Sequence, residues 1–324
     1  MRIRRSVLVA GALLTSTCLG TSWADTYPSK PIRWVVAYAA GGGSDALARS
    51  VGTQLSSQLG QAVMIDNKPG GATVIGAENV AKSPGDGYTV FTADNGTLVF
   101  NTALFKKLSY DPQKDFTSIG MMARFPLLLA VNPNAGYADV KALLADAKAN
   151  PGKISFGTPG VGSPHHLAME MLKARHNLDL LHVAYRGAAP AIQDVVGGQL
   201  PLMVVDAAAG MQMMKAGKLK PLATFSRSRL AAMPEVPTLM ELGYTDVEAV
   251  AWQGLVVPSS TPKDIVAKLS AELQKAIQSE PVRSQFATMG IEAMPSDASA
   301  MQKHWGQESQ FWPRLIRERK ISLD

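Results

Sequence analysis

A chain of 324 residues that is 46% hydrophobic and only 18% charged has material for a large core and about two domains, which excludes a disordered or low-complexity protein. Its formal charge of +6 invites a nucleic-acid or membrane-surface reading, but Arg2, Arg4 and Arg5 in the first 24 residues supply half of it, leaving +3 for the rest. The other basic residues are dispersed, apart from RLIRERK at 314–320. That run has no interleaved aromatics and fits a solvated helix face, so no nucleic-acid partner is expected.

The first residues, MRIRRSVLVAGALLTSTCLGTSWAD, combine three arginines, an apolar stretch at 7–14, and small residues Ser22 and Ala24 around Trp23. This is the layout of a secretory signal peptide cleaved after Ala24, with an apolar segment too short to anchor in a bilayer, and it predicts a periplasmic mature protein. Arg4 and Arg5 hint at twin-arginine export, but the residues after them fit that pattern loosely and favour the Sec route. Cys18, the only cysteine, sits behind a poor lipobox and leaves with the signal, so neither lipidation nor thiol chemistry is expected in the mature chain.

Short apolar runs then alternate with amphipathic ones. IRWVVAY (32–38), AVMIDN (62–67) and YTVFTAD (88–94) read as strands, separated by helices at 44–60 and 71–83. A second series follows: strands at 125–133, 154–159, 179–185, 200–206 and 219–226, with helices at 137–153, 163–177, 189–199 and 209–218 between them. The pattern predicts two α/β units, each built on a parallel sheet. The β-rich run VEAVAWQGLVVPSS (247–260) precedes three helices at 261–278, 281–290 and 297–320. No strands accompany these helices, so they are expected to pack back on the first unit, with a kink or a new turn at Pro313. The chain then crosses between units twice, near 125–132 and 249–257. This divides it into a signal at 1–24, one lobe of 25–126 plus 252–324, and a second of 127–251, with a cleft between the lobes.

In open α/β sheets ligands sit beyond the C-terminal ends of the strands, where the chain enters the following helix. AYAAGGGSDALAR places Gly41, Gly42 and Gly43 at such a point, where bare backbone lets N–H groups approach an anion at a helix N-terminus. A tight turn with Asp45 as helix cap explains the same residues. SFGTPGVGSPHH repeats the arrangement with Thr158 and Ser163, HVAYRGAAP with Arg186 and Gly187, and LMVVDAAAG with Asp206. Neither the G-x-G-x-x-G dinucleotide spacing nor a phosphate-loop G-K-[ST] is present.

Ser163 beside His165 and His166 raises an α/β hydrolase or lyase as the alternative, although the G-x-S-x-G elbow is missing. His166 and Glu170 could share a metal, but no third ligand is apparent. No catalytic residue, metal or cofactor is therefore assigned, and the methionines of GMQMMKAG and AMEML read as core filling.

YPSKPIRWVVAYAAGGGSDALAR, DNKPGGATVIGAENVAKSPGDGYT, YDPQKDFTSIGMMAR, ISFGTPGVGSPHHLAMEML, HVAYRGAAPAIQDVVGGQLPLMVVD and MPEVPTLMELGY occur in this order along most of the chain. In these segments it resembles the extracytoplasmic solute receptors of tripartite tricarboxylate transporters, the Bug or TctC-type binding proteins. The resemblance implies a type II periplasmic-binding-protein fold of two α/β lobes joined by two crossing strands, with a ligand cleft between them. It also implies a monomer that captures a small organic carboxylate, a di- or tricarboxylate or an aromatic acid, and delivers it to membrane components of such a transporter. A receptor that reports to a sensor remains a third reading.

Carried onto this sequence, the candidate ligand-binding residues are Ala40, Gly41, Gly42, Ser44, Asp45, Thr97, Thr158, Gly160, Gly162, Ser163, His166, Tyr185, Arg186, Gly187 and Asp206. Arg186 stands where the family commonly has lysine and could grip a carboxylate with two N–H groups. Ala39 and Ala40 replace a proline-containing pair, and Ala207 replaces a frequent asparagine.

Overall fold

In the computed structural model, which describes residues 27–324, the apolar and amphipathic alternation takes the expected β-α-β-α-β form. The predicted signal segment, its cleavage after Ala24 and Cys18 lie outside the described residues. Strand β1 (Ile32–Val36) leads to helix α1 (Gly43–Leu59), and β2 (Val63–Asn67) leads through a 3-10 turn (Gly71–Thr73) to α2 (Val74–Ala81) and β3 (Thr89–Asp94). Helix α1 stops where Gly60 takes the left-handed conformation, φ 66°, a common helix end. Both β2 and β3 pair with β1 in parallel.

Next come a π-helical turn (Gly96–Phe100) and the short helices α3 (Asn101–Leu104) and α4 (Pro112–Asp115), none of them expected from the sequence. Trp305 Nε1 donates to the Leu98 carbonyl at 2.9 Å and pins the π turn. Strand β4 (Phe116–Val131) follows, starting well before the expected 125. Two register shifts, between Ser118 and Gly120 and between Met121 and Ala123, interrupt the alternation that would have revealed its first half.

The second series contains α5 (Val140–Ala149), β5 (Ser155–Thr158), α6 (Pro164–His176), β6 (Leu181–Ala184), α7 (Ala188–Val196), β7 (Leu202–Asp206), α8 (Ala207–Lys215) and β8 (Lys220–Thr224). Asp139 caps α5 by accepting from the Ala142 N–H at 2.8 Å, and Met169, Met171, Met211 and Met214 are buried in the core. The chain ends with β9 (Val250–Pro258), α9 (Lys263–Gln278), α10 (Glu280–Thr288), β10 (Glu292–Ala293) and α11 (Ala298–Glu318). The last helices do carry one strand, the two-residue β10, which pairs with Ala123 and Arg124 of β4.

Pro313 lies inside α11, which continues to Glu318 without a restart. A missing interior N–H costs about 3 kcal/mol. Trp312, Leu315 and Ile316, buried on either side of it, supply packing that offsets the loss.

The sheet order is β2-β1-β3-β9-β4-β7-β5-β6; β8 also pairs with β4, opposite β7, and β10 pairs with β4, opposite β9. Residues 116–126 of β4 pair with β9, whereas 127–131 pair with β7 and β8, so one continuous strand lies in both lobes. β9 is antiparallel to both β3 and β4, so β1 to β3 run in the direction of β4. β5 to β7 run against it. The C-terminal ends of both parallel sets therefore point at the same stretch of β4. Asp94 at the end of β3 lies opposite Gln253, itself opposite Ala123; Asp206 at the end of β7 lies opposite Leu127. From Ala123 to Leu127 the strand advances about 13 Å.

Helices α1, α9 and α10 share one apolar cluster with Trp34 and Phe125, while α11 buries Trp305 and Ile316 in a cluster reaching into both lobes. Where α11 begins, its approach leaves no room over β4: a Cβ on Gly120 would stand 2.3 Å from the Ser296 carbonyl oxygen. Gly120→Ala should therefore destabilise by about 1–3 kcal/mol. The expected sign is a lower thermal midpoint at pH 7 by circular dichroism; an unchanged midpoint would show that the contact yields freely.

Candidate functional site

The turn between β1 and α1 is held from below by one carboxylate. Asp45, 4% exposed, accepts from the Gly41 N–H and Arg49 Nε at 2.9 Å each and from Asn67 Nδ2 at 3.0 Å. Asn67 also donates to the Tyr38 carbonyl at 3.0 Å, tying the turn to the end of β2. Burial pushes the Asp45 carboxyl up, but the hydrogen bonds from Arg49, Gly41 and Asn67 and the Arg49 charge together bring it below the usual range. The carboxylate is fully engaged inside its own turn, which makes it a brace for the loop.

Gly41 adopts φ 84°, the left-handed region, and a Cβ there would meet nothing within 4 Å, so conformation rather than space calls for glycine. Gly42, at φ −83°, caps the helix with no side-chain bond. The turn at 39–43 is exposed, and among the described residues no acceptor faces the N–H groups of Gly42, Gly43 or Ser44. These are the N–H groups a helix start leaves unpaired, at the positive end of its dipole.

Beneath this turn, Tyr38 donates its hydroxyl to Asp94, whose other oxygen accepts from the N–H and Oγ1 of Thr97, each at 2.7 Å. Thr97 Oγ1 also lies 2.8 Å from Thr73 Oγ1, and Thr97 is 1% exposed, so it shapes the floor from inside. Burial and the Asp94 charge raise the Tyr38 phenol well above its ordinary pKa, which keeps it a neutral donor. Gln253 of β9 donates Nε2 to Ser44 Oγ.

In the second lobe the candidates are bonded to one another. The Tyr185 N–H donates to the Thr158 carbonyl at 3.0 Å, the Gly187 N–H to the Pro159 carbonyl at 2.9 Å, and Ser163 Oγ to the Gly160 carbonyl at 2.8 Å. His166 Nδ1 accepts from the Gly162 N–H at 3.1 Å, and its ring stacks on His182 with centroids 3.8 Å apart. His182 Nε2 sits 2.6 Å from Thr158 Oγ1. Tyr185 hydroxyl donates to Asp194 at 2.6 Å, and Arg186 is exposed with no acid within ion-pair distance among the described residues.

Asp206 caps α8 through the Ala209 N–H at 2.8 Å and meets His165 Nε2 at 3.2 Å. Burial pushes its carboxyl up, yet the His165 bond and charge and the backbone N–H groups bring it below the usual range.

The two sets meet at the lobe junction. Phe125 Cε1 lies 3.4 Å from where a Cβ of Gly43 would stand, and Leu127, two residues on, is the strand partner of Asp206. Gly162, at φ 70°, rests against Leu104 of α3, which a Cβ would meet at 2.4 Å. Sequence reasoning missed Tyr38, Asn67, Asp94, His182 and Gln253. Only Gln253 carried a signal, as a lone amide in the apolar run AWQGLVV.

The model of the tripartite tricarboxylate transporter family receptor matches residues 47–321. The chain belongs to that family. BugT of Bordetella pertussis is 31% identical over the full length of both chains. A Rhodopseudomonas palustris protein solved with adipate superposes with a TM-score of 0.84 at 30% identity, covering 90% of this chain and 97% of that one. MatC of the same species, with bound malate, gives 0.80 at 28%, covering 90% and 100%.

In this receptor Ser163 does not meet a base. Its Oγ is spent on the Gly160 carbonyl and the His166 N–H, at 3.3 Å, as the cap of α6. The neighbouring rings face Asp206 and Gly162 instead. Glu170, 3.9 Å from His166 Nε2, is held by Lys173 at 2.5 Å and Arg319 at 2.8 Å, and no metal-binding group of three or more His, Cys, Asp or Glu occurs among the described residues. Arg319 therefore departs from the solvated-face reading of RLIRERK.

Burial, with the adjacent His182 ring and the Lys173 and Arg319 charges, lowers the His166 pKa to about 3 despite Glu170. Burial and Lys173 lower His182 to about 4 against the same carboxylate. An unfolded histidine takes up its proton near pH 6.5, so below that pH the unfolded chain binds more protons. Stability is full above about pH 6.5 and falls towards pH 4, by up to about 1.4 kcal/mol per pH unit for each histidine. Thermal melts from pH 7.5 to 4.5 should show this fall, shallower in His182→Gln; equal slopes in both proteins would contradict it.

Proposed function

We propose that the receptor binds a small organic carboxylate in the cleft between its lobes, divided at 126/127 and 251/252, and delivers it unchanged to the membrane components of a tripartite tricarboxylate transporter. The single observation that carries the reading is the set of unengaged N–H groups at the head of α1, located where the strand ends of both lobes converge. Anions favour such a helix start, and several N–H bonds in a closing cleft supply affinity that the dipole alone, about 0.3–1 kcal/mol, does not.

Relatives solved with adipate and malate support a carboxylate ligand. Among the described residues no helix is long and apolar enough to cross a membrane. With the signal-like start, this fits a monomeric protein working in the periplasm.

The remaining candidates divide by role. Gly42, Ser44 and the exposed Arg186 face the ligand from the two lobes, with Ala40, Gly160 and Gly187 leaving room for it, while Gly162 lets its loop pack on Leu104. Asp45, Thr97, Thr158, His166, Tyr185 and Asp206 hold the turns in shape through the bonds described above, and Gly41 supplies the bend. Neither Asp45 nor Asp206 presents an unengaged carboxylate to an anion, because each is held by a side-chain partner and backbone N–H groups. Ligand contacts to both lobes then favour the closed arrangement. The alternative, an enzyme acting through Ser163, lacks a base beside its hydroxyl.

A thermal-shift screen of mono-, di- and aromatic carboxylates should find ligands that stabilise the protein, by about 2.7 kcal/mol at a hundredfold excess over Kd. Mass spectrometry should recover them unaltered. In Gly42→Val the new Cβ has room, its nearest neighbour being the Ala39 carbonyl at 3.5 Å, so the fold should persist while affinity drops at least about tenfold as the side chain fills the anion's place. Stabilisation by none of the acids, or undiminished binding to Gly42→Val, would end the proposal. Arg186→Gln should weaken binding by about 1.5–3 kcal/mol in calorimetry if the guanidinium meets a carboxylate; an unchanged Kd removes Arg186 from the site.

A further inference from the structure

Along β9, consecutive side chains point to opposite faces of the sheet. Trp252 turns to α11, where its Nε1 donates to Glu308 at 3.1 Å, and Gln253 turns to the head of α1. Gln253 is 6% exposed, and its two polar atoms fare differently. Nε2 donates to Ser44 Oγ, which leaves the Ser44 hydroxyl hydrogen free to point at an anion on the adjoining N–H groups. Oε1 is buried and has no donor among the described residues. It shares the amide carbon with Nε2 and so lies beside the same helix end.

The two carboxylates near this turn are already supplied with donors. Asp45 has Gly41, Arg49 and Asn67, and Asp94 has Tyr38 and Thr97. A buried carbonyl oxygen without a partner weakens the fold until something donates to it. For a carboxylate seated on the N–H groups of Gly43 and Ser44, the nearest substituent that could donate is a hydroxyl on the adjacent carbon.

We propose that Gln253 is the specificity-determining residue of the first-lobe half of the cleft, selecting 2-hydroxy carboxylates by accepting their hydroxyl at Oε1 while its Nε2 keeps the Ser44 hydroxyl turned to the carboxylate. The proposal rests on the carboxylate reading given above. It makes Gln253 a discriminator between ligands, with the anchoring of the carboxylate left to the N–H groups of α1 and to Ser44.

Calorimetric titration of the purified protein with malate and succinate, and with lactate and propionate, tests it. The hydroxy member of a pair that binds should be about tenfold tighter in the native sequence. Gln253→Met, similar in length but with neither amide atom, should erase that margin, while any loss from releasing the Ser44 hydroxyl falls on both members of the pair alike. Ser44→Ala should weaken both members alike and keep the margin. If Gln253→Met fails to fold by circular dichroism, Gln253→Asn withdraws the amide by one methylene and should erase the margin in the same way. A margin that survives loss of the side chain overturns the inference, as does an absent margin in the native protein or a preference for pyruvate over lactate; all three leave the carboxylate reading intact. If no carboxylate binds at all, both fall together.

Discussion

A single strand belongs to both lobes, and the placement of everything else follows from it. Residues 116–126 of β4 pair with β9 and residues 127–131 with β7 and β8, without a break between them. The parallel strands of one lobe run with β4 and those of the other run against it, so both sets must end at the junction. Every turn that leads from one of these strands into a helix is brought to the same region, and with it the N–H groups that a helix start cannot pair internally. The cleft thus follows from strand direction, before any side chain is considered.

Side chains then decide what that region can hold. Three carboxylates stand close to it, and each is compensated: Asp45 by Gly41, Arg49 and Asn67, Asp94 by Tyr38 and Thr97, Asp206 by His165 and Ala209. Left unpaired they would repel an anion at distances where a low effective dielectric makes repulsion strong. Paired, they stiffen the turns whose backbone faces the cleft. The stacked His166 and His182 do the same in the second lobe without adding charge, since burial keeps both neutral at neutral pH.

Much of this organisation was legible in the sequence, because β1 to β3 and β5 to β7 are short apolar runs bounded by turn residues, and Gly60 marks a helix end by familiar chemistry. The glycine turns could be placed at strand ends on the same grounds. What escaped was non-local. Gly120 and two register shifts hid the first half of β4, and the π turn at 96–100 depends on Trp305, distant in sequence. The bracing role of Asp45 depends on Asn67, and the poise of Ser44 depends on Gln253, two partners that spacing along the chain does not connect. Arg319 looked like one more solvated charge until Glu170 of the other lobe was seen to receive it.

At Gly162 a loop of the second lobe lies directly against α3 of the first with no side chain of its own between them. Its missing methyl lets the loop before α6 settle directly on the Leu104 side chain. Leu104 thereby sets how closely this loop and α3 approach each other. Enlarging or trimming that residue would change the seating of this loop without touching any hydrogen bond of the turns that it joins.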